Sequence, residues 1–557
     1  MSTIPILFGT ETGNAEYCAK ELKAALTKSG YSAQVVDMNR YGAEQLAAAP
    51  LVLIITSTYG KGDPPVNAEK LLKHLESDQP QLSHLRYAVC ALGDSTYQDF
   101  AQCGRDFDRH LERHGARRVV DLVICDVEFE EFFPKFKESV LAWVATTGDE
   151  FRGADAPSTP KRGFFARLFG RGKAAEPTVA SESLVMPEKA GPAASEHDPV
   201  FARVLRRRRL NGEGSAKETM HYELSLDGSG IHYEPGDCIA VHPRNSHEDV
   251  SRFLAAFGLD GATTVVLDGH AHSLAQALAT RDFHRITSGL AELLARGQGP
   301  LSAAGVDAKD YRHRRHLIEA VTEHRDLPSL PAQELLEMLL PAPPRLYSIA
   351  SSQKLTPGEV HLTVETPRYE LDGHGRVGLA SGYLCDRVKD GEQIVIHKVA
   401  GPHFRVAPSG TDMILIGPGT GVAPYRAFLH ERRAQNAAGR IWLFFGHQHR
   451  DRDFLYGEEL EGFVRDGLLT KLDCAWSRDG AEKRYVQHVM REQAAELHAW
   501  IQAGAILYVC GDKQHMAADV HRALVEIVAQ QGGLAAEQAE QFVKQLETDG
   551  RYRLDVY

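Results

Sequence analysis

No stretch of this 557-residue sequence reaches about 18 consecutive apolar residues, so no membrane-spanning helix is expected. Cysteine is sparse as well. The eight residues (18, 90, 103, 125, 238, 385, 474 and 510) are scattered, with no C-x-x-C pair and no ferredoxin-type spacing. That pattern argues against a bound zinc or iron–sulfur centre and for free thiols in a reducing cytoplasm. A basic excess is also lacking. Lys and Arg number 63 against 75 Asp and Glu, a net charge of −12, so nucleic acid is not an expected partner. The opening "MSTIPILFGT" enters an apolar strand with no charged leader or cleavage site, and no signal peptide is expected. No internal repeat is evident. What remains is the composition of a soluble enzyme, long enough at ~150 residues per domain for three or four domains.

Residues 3–146 alternate strand-like runs ("IPILFG", "AQVVDM", "LVLIITS", "YAVCALG", "RVVDLVIC") with helix-length segments. Five strands in βα alternation predict a doubly wound parallel sheet covered on both faces, with ligands beyond the carboxyl ends of the strands. Residues 148–199 are rich in Ala, Pro, Ser, Gly and Glu and read as a flexible linker. Within it, "KRGFFARLFGRGK" sets five basic residues around Phe164, Phe165, Leu168 and Phe169, a segment suited to an anionic membrane surface or an acidic protein face, or simply a linker with a sticky spot. From 200 to 410 the pattern turns to strands and turns, predicting an antiparallel barrel with a helical insertion at about 246–340. From 411 to 557 βα alternation returns.

The first strand is followed by "TETGNA". The hydroxyls of Thr10 and Thr12, with Glu11, Gly13, Asn14 and Ala15 opening a helix, suit a phosphate cradle without lysine, although alone they also read as a capped polar turn. "STYG" (Ser57, Thr58, Tyr59, Gly60) and "LGDSTYQDF" (Leu92, Gly93, Asp94, Tyr97, Phe100) end the next two strands. Two tyrosines at neighbouring strand ends can sandwich a flat ring, and each alone is more often a surface residue. Farther on, "GPGTGVAP" places Gly419 and Thr420 between a strand and a helix, as a dinucleotide pyrophosphate loop requires. "WSRDGAEKRYVQ" follows, with Ser477, Arg478 and Lys483 able to grip a 2′-phosphate, Tyr485 to stack on adenine and Gln487 beside it. Cations with a hydroxyl there favour NADPH over NADH, which calls for an acidic residue on the ribose.

The three N-terminal loops together resemble the flavodoxin FMN site. "RLYSIASS", "HLTVETPRY" and "GLAS", in that order, resemble the FAD signature of ferredoxin–NADP reductase-like barrels. The chain outside 148–199 is thereby identified as a member of the diflavin reductases. The resemblance implies FMN, FAD and NADPH as cofactors. It implies FAD contacts from Arg345, Leu346, Tyr347, Ser348, Thr363, Val364, Glu365, Tyr369, Gly378, Leu379, Ala380 and Ser381, and an NADP contact from Asp519. It further implies that Ser348, Cys510 and Asp555 surround the hydride path, with the terminal Tyr557 stacked on the flavin face as a movable lid.

Within the family, "RLYSIASS", "WLFFG", "AWSRD" and the ending "DVY" are most similar to the flavoprotein alpha subunit of NADPH-dependent assimilatory sulfite reductase. Microsomal-type haemoprotein reductases typically end in Trp and carry a membrane anchor. The expected activity is electron flow from NADPH to FAD to FMN to a metal-containing protein: a sirohaem sulfite reductase subunit or, on the alternative reading, another haemoprotein. A non-catalytic flavin-binding interaction protein is the third reading. The sulfite reductase flavoprotein can carry an N-terminal extension linked to subunit assembly; with the first strand starting by residue 4 none is expected here, which leaves oligomeric state and use of the usual sirohaem partner open. Finally, the acidic "DVEFEE" (126–131) is expected either to help form a negative docking face for a basic partner or to be a solvated helix start.

Overall fold

The computed structural model describes residues 3–10, 13–58, 62–78, 80–95, 99–147, 151, 199–267 and 270–556. They fall into two compact units. The first joins the N-terminal residues to segments 255–259 and 281–343, and the second holds the rest.

The first unit is built on a parallel sheet of β1 (Ile4–Gly9), β2 (Ala33–Asp37), β3 (Leu51–Ser57), β4 (Arg86–Leu92), β5 (Arg117–Arg118) and β6 (Val123–Cys125). Its order is β2-β1-β3-β4-β5, with β6 also on β4. Alternate residues of each strand point to opposite faces, and β3 divides accordingly. Leu51, Leu53 and Ile55 join a core under helices α1 (Asn14–Lys28) and, farther along the chain, Phe129–Thr147, whereas Val52 and Ile54 join a second core with Leu71, Leu75 and Phe107. The run read as one fifth strand is split: β5 pairs with Arg86 and Tyr87, β6 with Cys90 to Leu92, and the register slips by two residues between them. The exposed Asp121 lies in that gap. Because the order reverses between β1 and β3, a crevice opens beyond their carboxyl ends.

Helices between 281 and 343 pack with this sheet rather than standing apart from it, and Leu340 joins its core. Their basic side chains meet the acidic segment. Arg312 Nη2 donates to Glu130 Oε2 at 2.6 Å, Lys309 lies 2.8 Å from Glu131, His313 pairs with Glu128, and Arg285 donates to the Val127 carbonyl at 2.9 Å with its guanidinium over Phe129. The expected free acidic face is therefore corrected: these carboxylates already have partners within the chain. The Glu130–Arg312 pair is largely buried, and burial raises the Glu130 pKa against the opposing pull of Arg285 and Arg312. Arg312→Met, which strands that carboxylate, is expected to cost the first unit about 3 kcal/mol in urea unfolding. Lys309→Met, at the exposed rim, is expected to leave the midpoint nearly unchanged.

The second unit opens with β7 (Val200–Arg209), β8 (Thr219–Ser225) and β9 (Cys238–His242), followed by the hairpin of β10 (Thr264–Leu267) and β11 (His270–Ser273). Next come β12 (Arg345–Ser348), β13 (Glu359–Glu365), the hairpin of β14 (Arg368–Leu371) and β15 (His374–Val377), and β16 (Gln393–Val399). The antiparallel order is β12-β9-β16-β7-β8-β13. Its two edge strands meet through the Ile349–Leu362 bridge and the Ala350 N–H on the His361 carbonyl at 2.8 Å, which closes the sheet into a barrel. The chain then forms β17 (Met413–Ile416), β18 (Ile441–His447), β19 (Lys471–Trp476), β20 (Ile506–Gly511) and β21 (Tyr552–Val556), all parallel in the order β19-β18-β17-β20-β21. Among the described residues, no helix is long and apolar enough to cross a membrane and no cluster of metal ligands occurs.

Candidate active site

At the carboxyl edge of the first sheet, β1 runs into a turn held from both sides. The Thr10 N–H donates to Asn67 Oδ1 at 2.9 Å, and the Gly13 N–H donates to Thr10 Oγ1 at 2.9 Å. Gly13 sits in the left-handed region (φ 85°) and starts α1 with no side-chain cap, so the first N–H groups of a 15-residue helix stay available to an anion. From β3, Ser57 Oγ donates to the Gly9 carbonyl, and Thr58 Oγ1 accepts from the Cys103 N–H. From β4, the Gly93 N–H donates to the Cys125 carbonyl. Thr10, Gly13, Asn14, Ala15, Ser57, Thr58, Leu92, Gly93, Asp94 and Phe100 thus share one edge, and an uncapped helix start among hydroxyls fits a phosphate-bearing FMN. Glu11, Thr12, Tyr59, Gly60 and Tyr97 lie outside the described residues.

Two residues here escaped the sequence reading. Asn67, in the first turn of the helix Val66–Ser77, pins the Thr10 loop, and Asp126, at the end of β6, accepts from the Ser95 and Val127 N–H groups. Ser95, above all, pulls the Asp126 pKa down. An asparagine just inside a helix was the available signal for the first. The second was hidden within the acidic run.

In the barrel, Arg345 projects from edge strand β12, exposed and with no ion pair among the described residues. An unpaired guanidinium at that edge fits the diphosphate of FAD. Tyr347, beside it, has its pKa raised by burial. Gly378 leads into a four-residue helix, Leu379–Gly382, in which Ala380 and Ser381 are buried, and Tyr369 is half exposed on the neighbouring hairpin. Glu365 is held by Lys217 Nζ at 2.5 Å. Thr363 and Val364 are less available. The Thr363 hydroxyl is 2.7 Å from the Tyr456 hydroxyl, and Val364 is fully buried in the barrel core, so their backbone is what they can offer a ligand.

That Tyr456 contact belongs to a buried hub joining the barrel to the C-terminal sheet. Arg426 donates through Nε to Glu459 at 2.6 Å and through Nη1 to the Ala350 carbonyl at 2.6 Å and His361 Nδ1 at 3.2 Å, with its guanidinium over the Tyr456 ring. His221 Nδ1 is 2.8 Å from the Tyr456 hydroxyl. Burial lowers the pKa of His221 to about 2 and of His361 to about 4, so both rings are neutral. For Glu459, burial acts upward, but the His430 hydrogen bond and the Arg426 charge overturn it and hold the group at about 2.

The register of β20 on β21 sets Cys510 opposite Asp555. Ser348 Oγ donates to Asp555 Oδ2 at 2.8 Å, and Cys510 Sγ lies 3.6 Å from the same oxygen. Residues 348, 510 and 555, which span 207 positions of the chain, therefore form one cluster. Burial raises the Asp555 pKa against the two hydrogen bonds, and it raises the Cys510 thiol as well. Cys238, which the sequence reading did not single out, approaches Ser348 Oγ to 4.0 Å from β9. Tyr557 lies outside the described residues.

After β17, Gly419–Val422 forms a single turn that enters the helix Ala423–Gln435. A Cβ on Gly421 would stand 2.2 Å from the Cys510 carbonyl oxygen, so only glycine lets this turn, with Gly419 and Thr420, lie against the end of β20. Beyond β19, Arg478 and Lys483 are exposed and carry no ion pair among the described residues, and Tyr485 is half exposed. Gln487 donates to Asp519 at 3.1 Å. Unpaired cations beside Ser477 fit a phosphorylated nucleotide.

The chain matches family models for flavodoxin over residues 6–138, for an FAD binding domain over 192–295 and 289–383, and for an oxidoreductase NAD-binding domain over 415–522. Those three modules in one chain define a flavoprotein oxidoreductase that binds FMN, FAD and a nicotinamide nucleotide. Its relatives include NADPH sulfite reductase flavoprotein alpha-components of Bacillus subtilis, Shewanella oneidensis and Vibrio vulnificus. Each is 38% identical over the whole of this chain and over 89%, 90% and 87% of the relative, respectively. The chain belongs to the family of NADPH sulfite reductase flavoprotein alpha-components.

Proposed function

We propose that this chain is the reducing flavoprotein of an assimilatory sulfite reductase, taking hydride from NADPH and delivering single electrons to a sirohaem-bearing partner in the cytoplasm. Residues 1–147 form the FMN domain, 148–199 the linker, 200–410 the FAD domain with its insertion at about 246–340, and 411–557 the NADPH domain. Bound together, the nucleotide and the two flavins turn a two-electron donor into one-electron steps. The observation that carries the reading is the convergence of Ser348, Cys510 and Asp555 beside the Gly419–Val422 turn.

On this reading the N–H groups opening α1 and the Thr10, Asn14 and Thr58 side chains hold the FMN phosphate and its surroundings. Arg345 and the backbone of Gly378–Ser381 hold the FAD diphosphate. Ser348 holds the Asp555 carboxylate, whose negative charge would favour positive charge developing on a nicotinamide bound there. Cys510 closes the site against water. No proton abstraction is needed, so positioning supplies most of the rate.

Mixing the NADPH-reduced protein with a sirohaem sulfite reductase subunit is expected to yield sulfide. Reduction of a cytochrome with no sulfide formed would instead favour a general haemoprotein reductase. Arg478→Ala is expected to raise the KM for NADPH about tenfold while leaving kcat and the KM for NADH unchanged, since it removes a charge-assisted contact made only with the 2′-phosphate.

A further inference from the structure

Beyond β18 and β19 the backbone ladder continues. The Ser477 N–H donates to the His447 carbonyl and the Arg478 N–H to the Gln448 carbonyl, each at 2.9 Å. Residues 447–449 and 477–479 therefore run side by side, and His449 faces Asp479. One Asp479 oxygen lies 2.8 Å from His449 Nδ1, and the other accepts from the Arg450 N–H at 2.9 Å. Those contacts, the Arg450 N–H first, lower the Asp479 pKa. With Nδ1–H committed to the carboxylate, Nε2 is the free end of the ring. It presents a lone pair when the imidazole is neutral and a donor N–H when it is protonated.

We propose that His449, oriented by Asp479, is an additional ligand of the nucleotide 2′-phosphate and adds to the preference for a 2′-phosphorylated nucleotide. This rests on the reading of Ser477, Arg478 and Lys483 as the 2′-phosphate cradle, because their turn is the one His449 abuts. The fixed charges nearby leave that role to the imidazole. From its own loop, Arg450 reaches toward Glu461 at 3.9 Å, while Arg452 pairs with Asp451 and reaches the Gly214 carbonyl. Behind it, His447 is buried 3.9 Å from Asp453, which is held in turn by Asn211 and Ser215. From the facing turn come Asp479, Arg478 and Lys483. His449 is a quarter exposed, enough for a ligand to reach it. A protonated Nε2 donates to a phosphate oxygen, with Asp479 balancing the charge. A neutral one sets its lone pair against that oxygen.

The test is calorimetric binding of 2′,5′-ADP and of 5′-ADP to the FAD-loaded full chain. The unsubstituted protein is expected to bind 2′,5′-ADP about tenfold more tightly than His449→Gln. Affinity for 5′-ADP should be equal in both proteins. Asp479→Asn should lose the same advantage. Equal 2′,5′-ADP affinity in the two proteins, or an equal loss for 5′-ADP, would overturn the proposal. Arg478→Ala separates the two readings. If it weakens 2′,5′-ADP while His449→Gln does not, only the role of His449 fails, and if Arg478→Ala has no effect the cradle and the proposal fall together.

Discussion

Asp555→Asn is expected to slow reduction of the bound flavin by NADPH about 100-fold in stopped-flow absorbance, with FAD content unchanged. The substitution keeps the shape and one acceptor for the Ser348 hydroxyl, which stands 2.8 Å from the carboxylate, but removes the charge. A crowded carboxylate is worth more to a developing positive charge than one in water, because little solvent screens it. The sign of the pH dependence follows. Burial raises the Asp555 pKa, so the charged carboxylate is lost as pH falls through a value above the ordinary 3.8 of an aspartate. The rate should fall on acidification in the unsubstituted protein, and Asp555→Asn should flatten that limb. A variant that is slow but keeps the acid limb would assign the limb to another group.

Arg426→Met is expected to destabilise the second unit by about 3 kcal/mol, since it removes a buried guanidinium from the partly buried Glu459 and leaves that carboxylate beside His430 without its Arg426 counter-charge. Urea unfolding with FAD release as the signal measures it. The double variant Arg426→Met/Glu459→Gln should recover part of the loss, and strictly additive losses would show that the pair is not coupled. Acid should act on the same hub. Glu459 is depressed from 4.5 to about 2, so its contribution is present above 4.5 and lost as pH falls toward 2. His221 and His361, lowered from 6.5 to about 2 and about 4, stay neutral in the fold while the unfolded chain takes up protons below 6.5, so stability begins to fall there. Arg426→Met should shrink the part of the acid dependence that lies below pH 4.5.

Much of the architecture was legible because it depends on local pattern. Short, largely apolar runs such as "LVLIITS" and "AILYVCG", alternating with helix-length segments, read as buried parallel strands, and the glycine-rich and hydroxyl-rich segments after them fall at strand ends, where the fold puts its ligands. The split of the fifth strand was not legible, because "RVVDLVIC" is apolar enough to read as continuous and only pairing with β4 reveals the two-residue slip. Nor was the fate of "DVEFEE". A run of carboxylates looks solvent-facing until the chain brings Lys309, Arg312 and His313 to it from some 180 residues away.

The sequence by itself determined the parallel, antiparallel and parallel sheets and the candidate residues of the N-terminal phosphate loops and the C-terminal nucleotide loops, since both follow from periodicity and from side-chain chemistry at turns; the candidate FAD residues followed from the family resemblance. Only the tertiary structure decided which of those residues meet. Register across β20 and β21 put Asp555 against Cys510, and the fold of the second unit brought Ser348 to the same carboxylate. It also spent Thr363 on Tyr456, paired the acidic segment within the chain, and set His449 against Asp479. Each of these is a contact between residues distant along the chain. Such contacts depend on strand register and packing, which no local pattern encodes.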